Sequence, residues 1–436
     1  MNQHIRVAIK TLGCKLNQYE SMGMQESLEH AGCIIVSADD DADIYIVNSC
    51  TVTGKTDRRS RHATLQLHRL HPDARIIVTG CGAQRDSHEF SGLPGVHAVL
   101  GNREKNRIID FVHRILIEDD PITFVSPLEH APFEKLSISR FRNYTRAFIK
   151  IQEGCNRSCS YCIIPTVRGP SRSQPPDNIL EEVHRLVYGG FKEIVLTGID
   201  LGTYGLDLQP ALRLSDLLGM LEQVPGLIRI RLSSIEPMEF TPELIEAITT
   251  SSRICRHFHI PLQGGDNATL QRMNRTYTRE EFASIIHAIR DRSPDACIGT
   301  DVITAFPGET EQAFQNTYSF IDALPVDYLH VFTFSVRKTT AAAAFPNRVD
   351  PRIARDRCHA LRSLSSQKAA SFRARMTGRD LPVIVLGAQD TETGLPRALS
   401  DNYIQILIEG SDPQKGQCLT ARLLRCCGLR CFGIII

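Results

Sequence analysis

"EGCNRSCSYCIIP" (residues 153–165) sets Cys155, Cys159 and Cys162 three and then two residues apart in a polar loop. The stretch just before it, "TRAFIKIQ" (145–152), reads as a strand, so the loop hangs from a strand end. A closed zinc site needs four ligands. This loop holds no His, and the nearest other cysteines lie far off in sequence. Three thiolates on one loop can instead hold three irons of a cubane, leaving the fourth iron open to an outside ligand.

Downstream of this loop, strand-like and helix-like segments alternate. "EIVLTG" (193–198), "LIRIRLSS" (227–234), "HFHIPLQ" (257–263), "CIGTDVITAF" (297–306) and "YLHVFTFS" (328–335) read as strands. Amphipathic stretches such as "DNILEEVHRLVYGGF" (177–191) and "TREEFASIIHAIRDR" (278–292) separate them. About six βα units fit a complete or partial parallel barrel, with a doubly wound sheet as the competing fold.

Upstream, "IRVAIKTLG" (5–13), "DIYIVN" (43–48) and "ARIIVTG" (74–80) alternate with helical stretches, which predicts an open parallel α/β sheet. Cys14, Cys50 and Cys81 each follow one of these strands directly. Parallel strands end on one edge, where ligands bind, so the three can meet in space. Cys33 precedes its strand and faces the other edge. Residues 119–145 carry three prolines and no clear period, and read as a connector.

Residues 352–379 look helical and hold eight Lys or Arg against one acid, Asp356. Beyond them, "LPVIVLGAQ" (381–389), "NYIQILIEG" (402–410), "CLTARLLR" (418–425) and "CFGIII" (431–436) are short strands without intervening helices. They predict a small antiparallel β-barrel. Cys426 and Cys427 would point to opposite faces of their strand, so the C-terminal cysteines read as core or surface thiols.

The chain has 436 residues with 42% hydrophobic and 23% charged residues and a formal charge of +1, an ordinary soluble composition. The small net charge excludes a general polyanion binder, so any nucleic-acid face is a local patch. No signal peptide and no membrane-length apolar run stands out, so a cytoplasmic, non-membrane protein is expected. Fourteen cysteines in that compartment point to metal or catalytic roles instead of a disulfide framework.

The C-x3-C-x2-C loop, with Tyr161 before its third cysteine, resembles the signature of the radical S-adenosylmethionine (SAM) superfamily. Combined with Cys14, Cys50 and Cys81, the chain resembles the methylthiotransferases over nearly its whole length. The resemblance implies two 4Fe–4S clusters, one on Cys14, Cys50 and Cys81 and one on Cys155, Cys159 and Cys162. It also implies SAM as cofactor and a C-terminal RNA-binding barrel of the TRAM type. The expected domains are 1–118 (auxiliary cluster), 119–140 (connector), 141–372 (radical SAM) and 373–436 (barrel). Gly198, Ser234 and Glu236, at strand ends on the active edge, are candidate SAM or substrate contacts alongside Tyr161.

"KTLGCKLNQYES" (10–21), "LTGIDLGTYG" (196–205) and "RLSSIEP" (231–237) resemble the subfamily acting on N6-threonylcarbamoyladenosine of tRNA. That implies a methylthio group added at C2, with tRNA, a sulfur donor and an electron donor such as flavodoxin or ferredoxin as partners. The alternatives are methylthiolation of isopentenyladenosine in tRNA or of ribosomal protein S12, and, from another class, a non-catalytic metal-stabilised RNA-binding protein. Four sites depart from the family pattern: Gln174, Gly264, Asp266–Asn267 and Ala305. Arg58, Arg59 and Arg61 form a basic step after Cys50, and Gly308-Glu309-Thr310 reads as a helix opening.

Overall fold

The computed structural model describes residues 5–118, 120–129, 132–134, 136, 138 and 144–436. Part of the expected connector over 119–140 lies outside the described residues. The chain forms two compact units. One comprises Met1–Arg140, Gln152–Gln174 and Ser335–Ala343, and the other Phe141–Ile151, Pro175–Phe334 and Ala344–Ile436.

In the first unit, β1 (Arg6–Thr11), β2 (Ile34–Val36), β3 (Ile44–Ser49), β4 (Arg75–Gly80), β5 (Val96–Leu100) and β6 (Ile122–Phe124) form one parallel sheet in the order 2-1-3-4-5-6. Period-2 alternation splits the strand residues between two cores. Val7, Ile9, Ile44, Ile46 and Ile77 face Met24, Leu28, Phe111 and Ile115 on one side. Ala8, Tyr45, Val47, Ile76 and Val78 face Leu67, Ala83 and Phe90 on the other. Each fully buried aliphatic side chain contributes roughly 1.5–3 kcal/mol, which requires helices on both faces of the sheet.

Strands β1, β3 and β4 lie where the sequence places them. The structure adds β5 and β6. The latter is only three residues long and sits inside the proline-bearing connector, too short to show a period. The helix Gly54–Leu70 starts on a capping box in which the Thr53 side chain accepts from the Thr56 amide. This unit also holds the cysteine loop, flanked by the two-residue strands β8 (Gln152–Glu153) and β9 (Arg172–Ser173), while β7 (Ala147–Lys150) just before them belongs to the second unit.

In the second unit, β7 pairs with β10 (Glu193–Thr197), and β10 with β11 (Arg229–Leu232). Likewise β12 (His257–His259), β13 (Cys297–Thr304) and β14 (Tyr328–Thr333) form a parallel triplet. The two triplets meet through the Ile230–Ile254 bridge and the Ile235 amide, which donates to His259. Six parallel strands with intervening helices make a partial barrel, one of the two forms the sequence left open.

A five-stranded closed barrel ends the chain, ordered β15 (Asp380–Gln389), β16 (Pro396–Ser400), β17 (Gln405–Ile408), β19 (Arg430–Ile435) and β18 (Cys418–Cys427). Its pairs are antiparallel except β17–β19. An odd number of strands cannot alternate direction all the way round a ring, so one parallel pair is unavoidable. The 396–404 hairpin docks on the partial barrel through a buried ion cluster. Glu193 is 2.7 Å from Arg231 and 3.0 Å from Arg229, and Arg231 donates to the carbonyls of Ser400 (3.1 Å) and Asp401 (2.9 Å).

Among the described residues, no helix is long and apolar enough to cross a membrane.

Candidate active site

The edge-to-edge order of β1, β3 and β4 makes their C-terminal ends neighbours, with Thr11 opposite Asn48 and Ser49 opposite Gly80. Cys14, Cys50 and Cys81 leave these three ends. This edge includes the point where the strand order reverses between β1 and β3, the usual ligand crevice of an open α/β sheet. Cys50 and Cys81 are buried, Cys14 keeps solvent access, and none forms a disulfide.

The turns that present Cys14 and Cys81 depend on glycine. Gly13 has φ +112°, and a Cβ there would stand 2.9 Å from the Cys50 Cβ and 3.1 Å from its sulfur. Gly80 has φ +95°, and a Cβ there would meet Asn48 Oδ1 and the Ser49 carbonyl at 2.5 Å. The backbone therefore approaches as closely as a side chain would need to stand.

Asn17 ties the turns together. Its Nδ2 donates to the carbonyls of Leu12 (2.8 Å) and Ser49 (3.0 Å), while Cys14 Sγ lies 3.6 Å from its Oδ1. Although Cys14 is exposed as a residue, the protein packed around its sulfur pushes the thiol pKa up; Arg168 pulls it back down and Cys81 raises it further. Burial likewise raises that of Cys50, against the backbone N–H of Val52, and the Cys81 and Cys14 charges add to the rise. Charge on one of these sulfurs would therefore disfavour charge on the others, and a cation among them would offset that cost.

Cys155, Cys159 and Cys162 are each partly buried in the loop between β8 and the short helix Ile164–Arg168. The Cys155 amide donates to the Gly169 carbonyl (3.0 Å) and the Cys162 amide to that of Cys159 (3.1 Å), curling the loop on itself. Tyr161 is partly buried within it. Ile163 and Val167, just past the third cysteine, pack on Cys81. The two cysteine sets therefore belong to one compact unit.

Sequence reasoning missed the residue between them. Arg168 is fully buried. Its Nε lies 3.0 Å from Cys81 Sγ, while its terminal nitrogens donate to Glu20, to Glu153 (2.8 Å) and to Asn17 Oδ1 (2.8 Å). Lys105 completes the cluster by donating to Glu20 and to Asn102 Oδ1 (2.8 Å). Only the spacing in "CIIPTVRG" hinted at it, by placing an Arg six residues after the third cysteine.

In the second unit, Gly198 follows β10 and is partly buried. Ser234 follows β11, and its Oγ is 2.7 Å from His259 Nδ1. The Glu236 carboxylate is paired with Arg275. The structure adds a His–Asp–His group the sequence did not reveal. Asp301 Oδ1 is 3.1 Å from His259 Nε2 and 3.2 Å from His330 Nδ1. Among the described residues it is the group that brings three ligand-type atoms within 4.8 Å of one another. Burial works to raise the Asp301 pKa, but the hydrogen bonds from both imidazoles outweigh it and bring it to about 2.

Glu309 does not cap a helix. Thr310 is the N-cap of Glu311–Ala323, and the buried Glu309 carboxylate accepts from the Ala305 amide (2.7 Å) and Arg357 (2.8 Å). Of the unusual residues, Asp266 has a local explanation and Gly264 has none. Asp266 caps the helix Asn267–Arg272 through the Thr269 amide (2.9 Å), and a Cβ on Gly264 would make only ordinary contacts from 3.5 Å outward.

The basic segment is the helix Pro351–Met376, and part of its charge is engaged by the fold. Arg357 pairs with Glu309, Arg375 with Asp327, and Lys368 donates to the carbonyls of Asp322 and Leu324. Arg379, just beyond it, pairs with Asp295. Arg352 and Arg355 stay exposed. In the terminal barrel Arg397, Arg422, Arg425 and Arg430 each pair with a carboxylate. Near Cys50, Arg61 pairs with Glu89, while Arg58 and Arg59 are exposed.

Residues 149–321 match the radical SAM superfamily, and residues 6–101 match uncharacterized protein family UPF0004. The chain is 38% identical over 423 residues to the threonylcarbamoyladenosine tRNA methylthiotransferase MtaB of Bacillus subtilis, covering 96% of this chain and 94% of that one. It is 30% identical over 431 residues to the tRNA-2-methylthio-N(6)-dimethylallyladenosine synthase of Desulforamulus reducens, covering 98% and 94%. In fold it is similar to the radical SAM methyltransferase TsrM of Kitasatospora setae (TM-score 0.57, 14% identity, 78% of this chain and 74% of that one). With relatives of this identity over nearly its full length and a cysteine loop inside the superfamily match, the chain belongs to the radical SAM tRNA methylthiotransferases.

Proposed function

We propose that this enzyme adds a methylthio group to C2 of N6-threonylcarbamoyladenosine next to the anticodon of tRNA. The observation that carries the reading is that Cys14, Cys50 and Cys81, at neighbouring strand ends, and the loop with Cys155, Cys159 and Cys162 belong to one compact unit. The more similar relative is named for threonylcarbamoyladenosine, the less similar one for dimethylallyladenosine.

Both triads fit an iron–sulfur group by the chemistry of their donors. Each offers three cysteines outside any disulfide. Cys14, Cys50 and Cys81 leave neighbouring ends of one sheet, and Cys155, Cys159 and Cys162 share one curled loop, so each set can offer its thiolates to three irons. Cys155, Cys159 and Cys162 would hold one 4Fe–4S cluster, and Cys14, Cys50 and Cys81 the other. When bound, these clusters and SAM would supply a 5′-deoxyadenosyl radical and a methylated sulfur; an aromatic C–H is not acidic enough for ordinary proton abstraction.

The protein's part is holding and orienting. The Gly13 and Gly80 turns keep three sulfurs converging at one sheet edge. In the first unit Tyr161 would serve SAM beside the loop cysteines, and in the second Gly198 would admit close approach of a ligand at the end of β10. Ser234, with His259 behind it, offers a hydrogen bond to a polar ligand, and the Asp301-linked His330 offers another. Glu236, oriented by Arg275, would contact SAM or substrate at the end of β11. On this reading residues 1–118 carry the auxiliary cluster, 141–372 the radical SAM chemistry, and 373–436 an RNA-binding barrel, joined by 119–140. The exposed Arg58, Arg59, Arg352 and Arg355 would meet tRNA phosphates. An electron donor such as flavodoxin or ferredoxin and a sulfur donor complete the set of partners.

Mass spectrometry of tRNA nucleosides from a deletion strain tests the substrate. Loss of 2-methylthio-N6-threonylcarbamoyladenosine supports the reading. Loss of the isopentenyl counterpart alone points to the other tRNA substrate, and unchanged nucleosides in a strain with no second methylthiotransferase overturn it.

A further inference from the structure

We propose that Arg168 is a positioning residue for the auxiliary site. It would hold the Cys81 sulfur in an N–H···S hydrogen bond, raise the reduction potential of the cluster bound there, and link that site to the radical loop. This rests on reading Cys14, Cys50 and Cys81 as cluster ligands.

Three observations carry it. First, Arg168 is wholly buried, and it spends its Nε on a sulfur 3.0 Å away. A neutral thiol is a poor acceptor; a metal-bound thiolate is a good one. Second, every other donor direction is fixed by an acidic or amide oxygen: Glu20, Glu153 at 2.8 Å and Asn17 Oδ1 at 2.8 Å. Asn17 in turn holds the Ser49 carbonyl at 3.0 Å and lies 3.6 Å from Cys14 Sγ. One guanidinium thus touches one ligand directly and, through a single amide, the turns carrying the other two. Third, Arg168 ends the helix that follows Cys162, and Ile163 and Val167 of that segment pack on Cys81. A shift of the radical loop would move Arg168 relative to Cys81.

Arg168, Lys105 and the more distant Arg172 face only Glu20 and Glu153, which leaves positive charge over to meet a cluster. The added negative charge of a cluster therefore falls on the Nε–H. Hydrogen bonds to cluster sulfurs favour the more negative, reduced state. Lysine cannot replace this contact, because its ammonium lacks the planar fork that serves a sulfur and two oxygens together.

The test uses the full chain, reconstituted anaerobically, with Cys155, Cys159 and Cys162 replaced by Ala so that only the auxiliary cluster remains. Its one-electron reduction by dithionite is followed by EPR against poised potential, with and without R168K or R168M. The expected result is a full iron complement in the R168K form and a midpoint shifted to more negative potential. A loaded cluster with an unchanged midpoint overturns the role of Arg168 alone. A parent protein holding no cluster overturns the ligand assignment, and the role with it. Protein labelled with 15N-arginine gives a reading independent of any substitution at position 168. A 15N coupling to the reduced cluster is expected, and its absence overturns the hydrogen bond.

Discussion

Arg337 donates to Thr51 Oγ1 at 2.6 Å and lies 2.6 Å from Asp57 Oδ2, so a segment some 280 residues away in sequence closes over the residue next to Cys50. Asp57 also accepts from Thr51 and from Arg85. Arg337→Ala should lower the stability of the iron-free protein by roughly 1–3 kcal/mol, less than the ~3–5 kcal/mol of a wholly orphaned buried charge because Arg85 remains. Urea unfolding measures it. Iron uptake at the N-terminal triad should fall as well, since the Cys50 turn loses its outer support.

Gly13→Ala should be worse than its size suggests. The added methyl meets the Cys50 Cβ at 2.9 Å on a backbone of φ +112°. The left-handed conformation alone costs ~1–2 kcal/mol for an L-residue, and the overlap adds to it. Iron analysis should show a deficit at this triad while SAM cleavage persists. Full loading would contradict the close packing of these turns.

Glu193→Ala leaves Arg229 and Arg231 buried without their shared carboxylate. A loss of about 3–5 kcal/mol is expected. Because Arg231 also anchors Ser400 and Asp401, the terminal barrel should become more sensitive to limited proteolysis than in the parent. Equal cleavage rates would show that the hairpin docks by other means.

Acid should weaken the second unit through Asp301. Burial opposes its ionisation, but His259 and His330 hold its pKa at about 2, below the usual carboxylate value. A depressed carboxylate stabilises the fold above its unfolded pKa, and that contribution disappears as pH falls from about 4 to about 2. The contribution is on the order of 2 kcal/mol. In Asp301→Asn this part of the pH dependence should vanish, read from unfolding midpoints of the iron-free protein across that range.

The cysteine placement was legible because it depends only on strand ends. Cys14, Cys50 and Cys81 each follow a run with clear alternation, and parallel neighbours must share an edge. The partial barrel was legible for the same reason. Arg168 was not, because its partners Cys81 and Glu20 are 87 and 148 residues away and nothing local marks a buried guanidinium. His259, Asp301 and His330 come from three different strands and meet only through register, with Asp301 opposite His330. Glu309 belongs to a stretch that reads as a helix opening by sequence, yet it precedes the cap and turns inward onto Arg357. The charge of the basic helix misleads in the same way. Composition counts its arginines, but only the fold shows that Arg357, Lys368 and Arg375 are committed to internal acceptors.

The most direct measurement is product analysis with the anaerobically reconstituted enzyme, SAM, a reductant and tRNA bearing N6-threonylcarbamoyladenosine, compared with enzyme in which Cys14, Cys50 and Cys81 are replaced by Ala. The parent enzyme should form both 5′-deoxyadenosine and the 2-methylthio nucleoside, while the variant should form 5′-deoxyadenosine without methylthiolation. Undiminished methylthiolation by the variant, or none by an iron-loaded parent that cleaves SAM, would contradict the account.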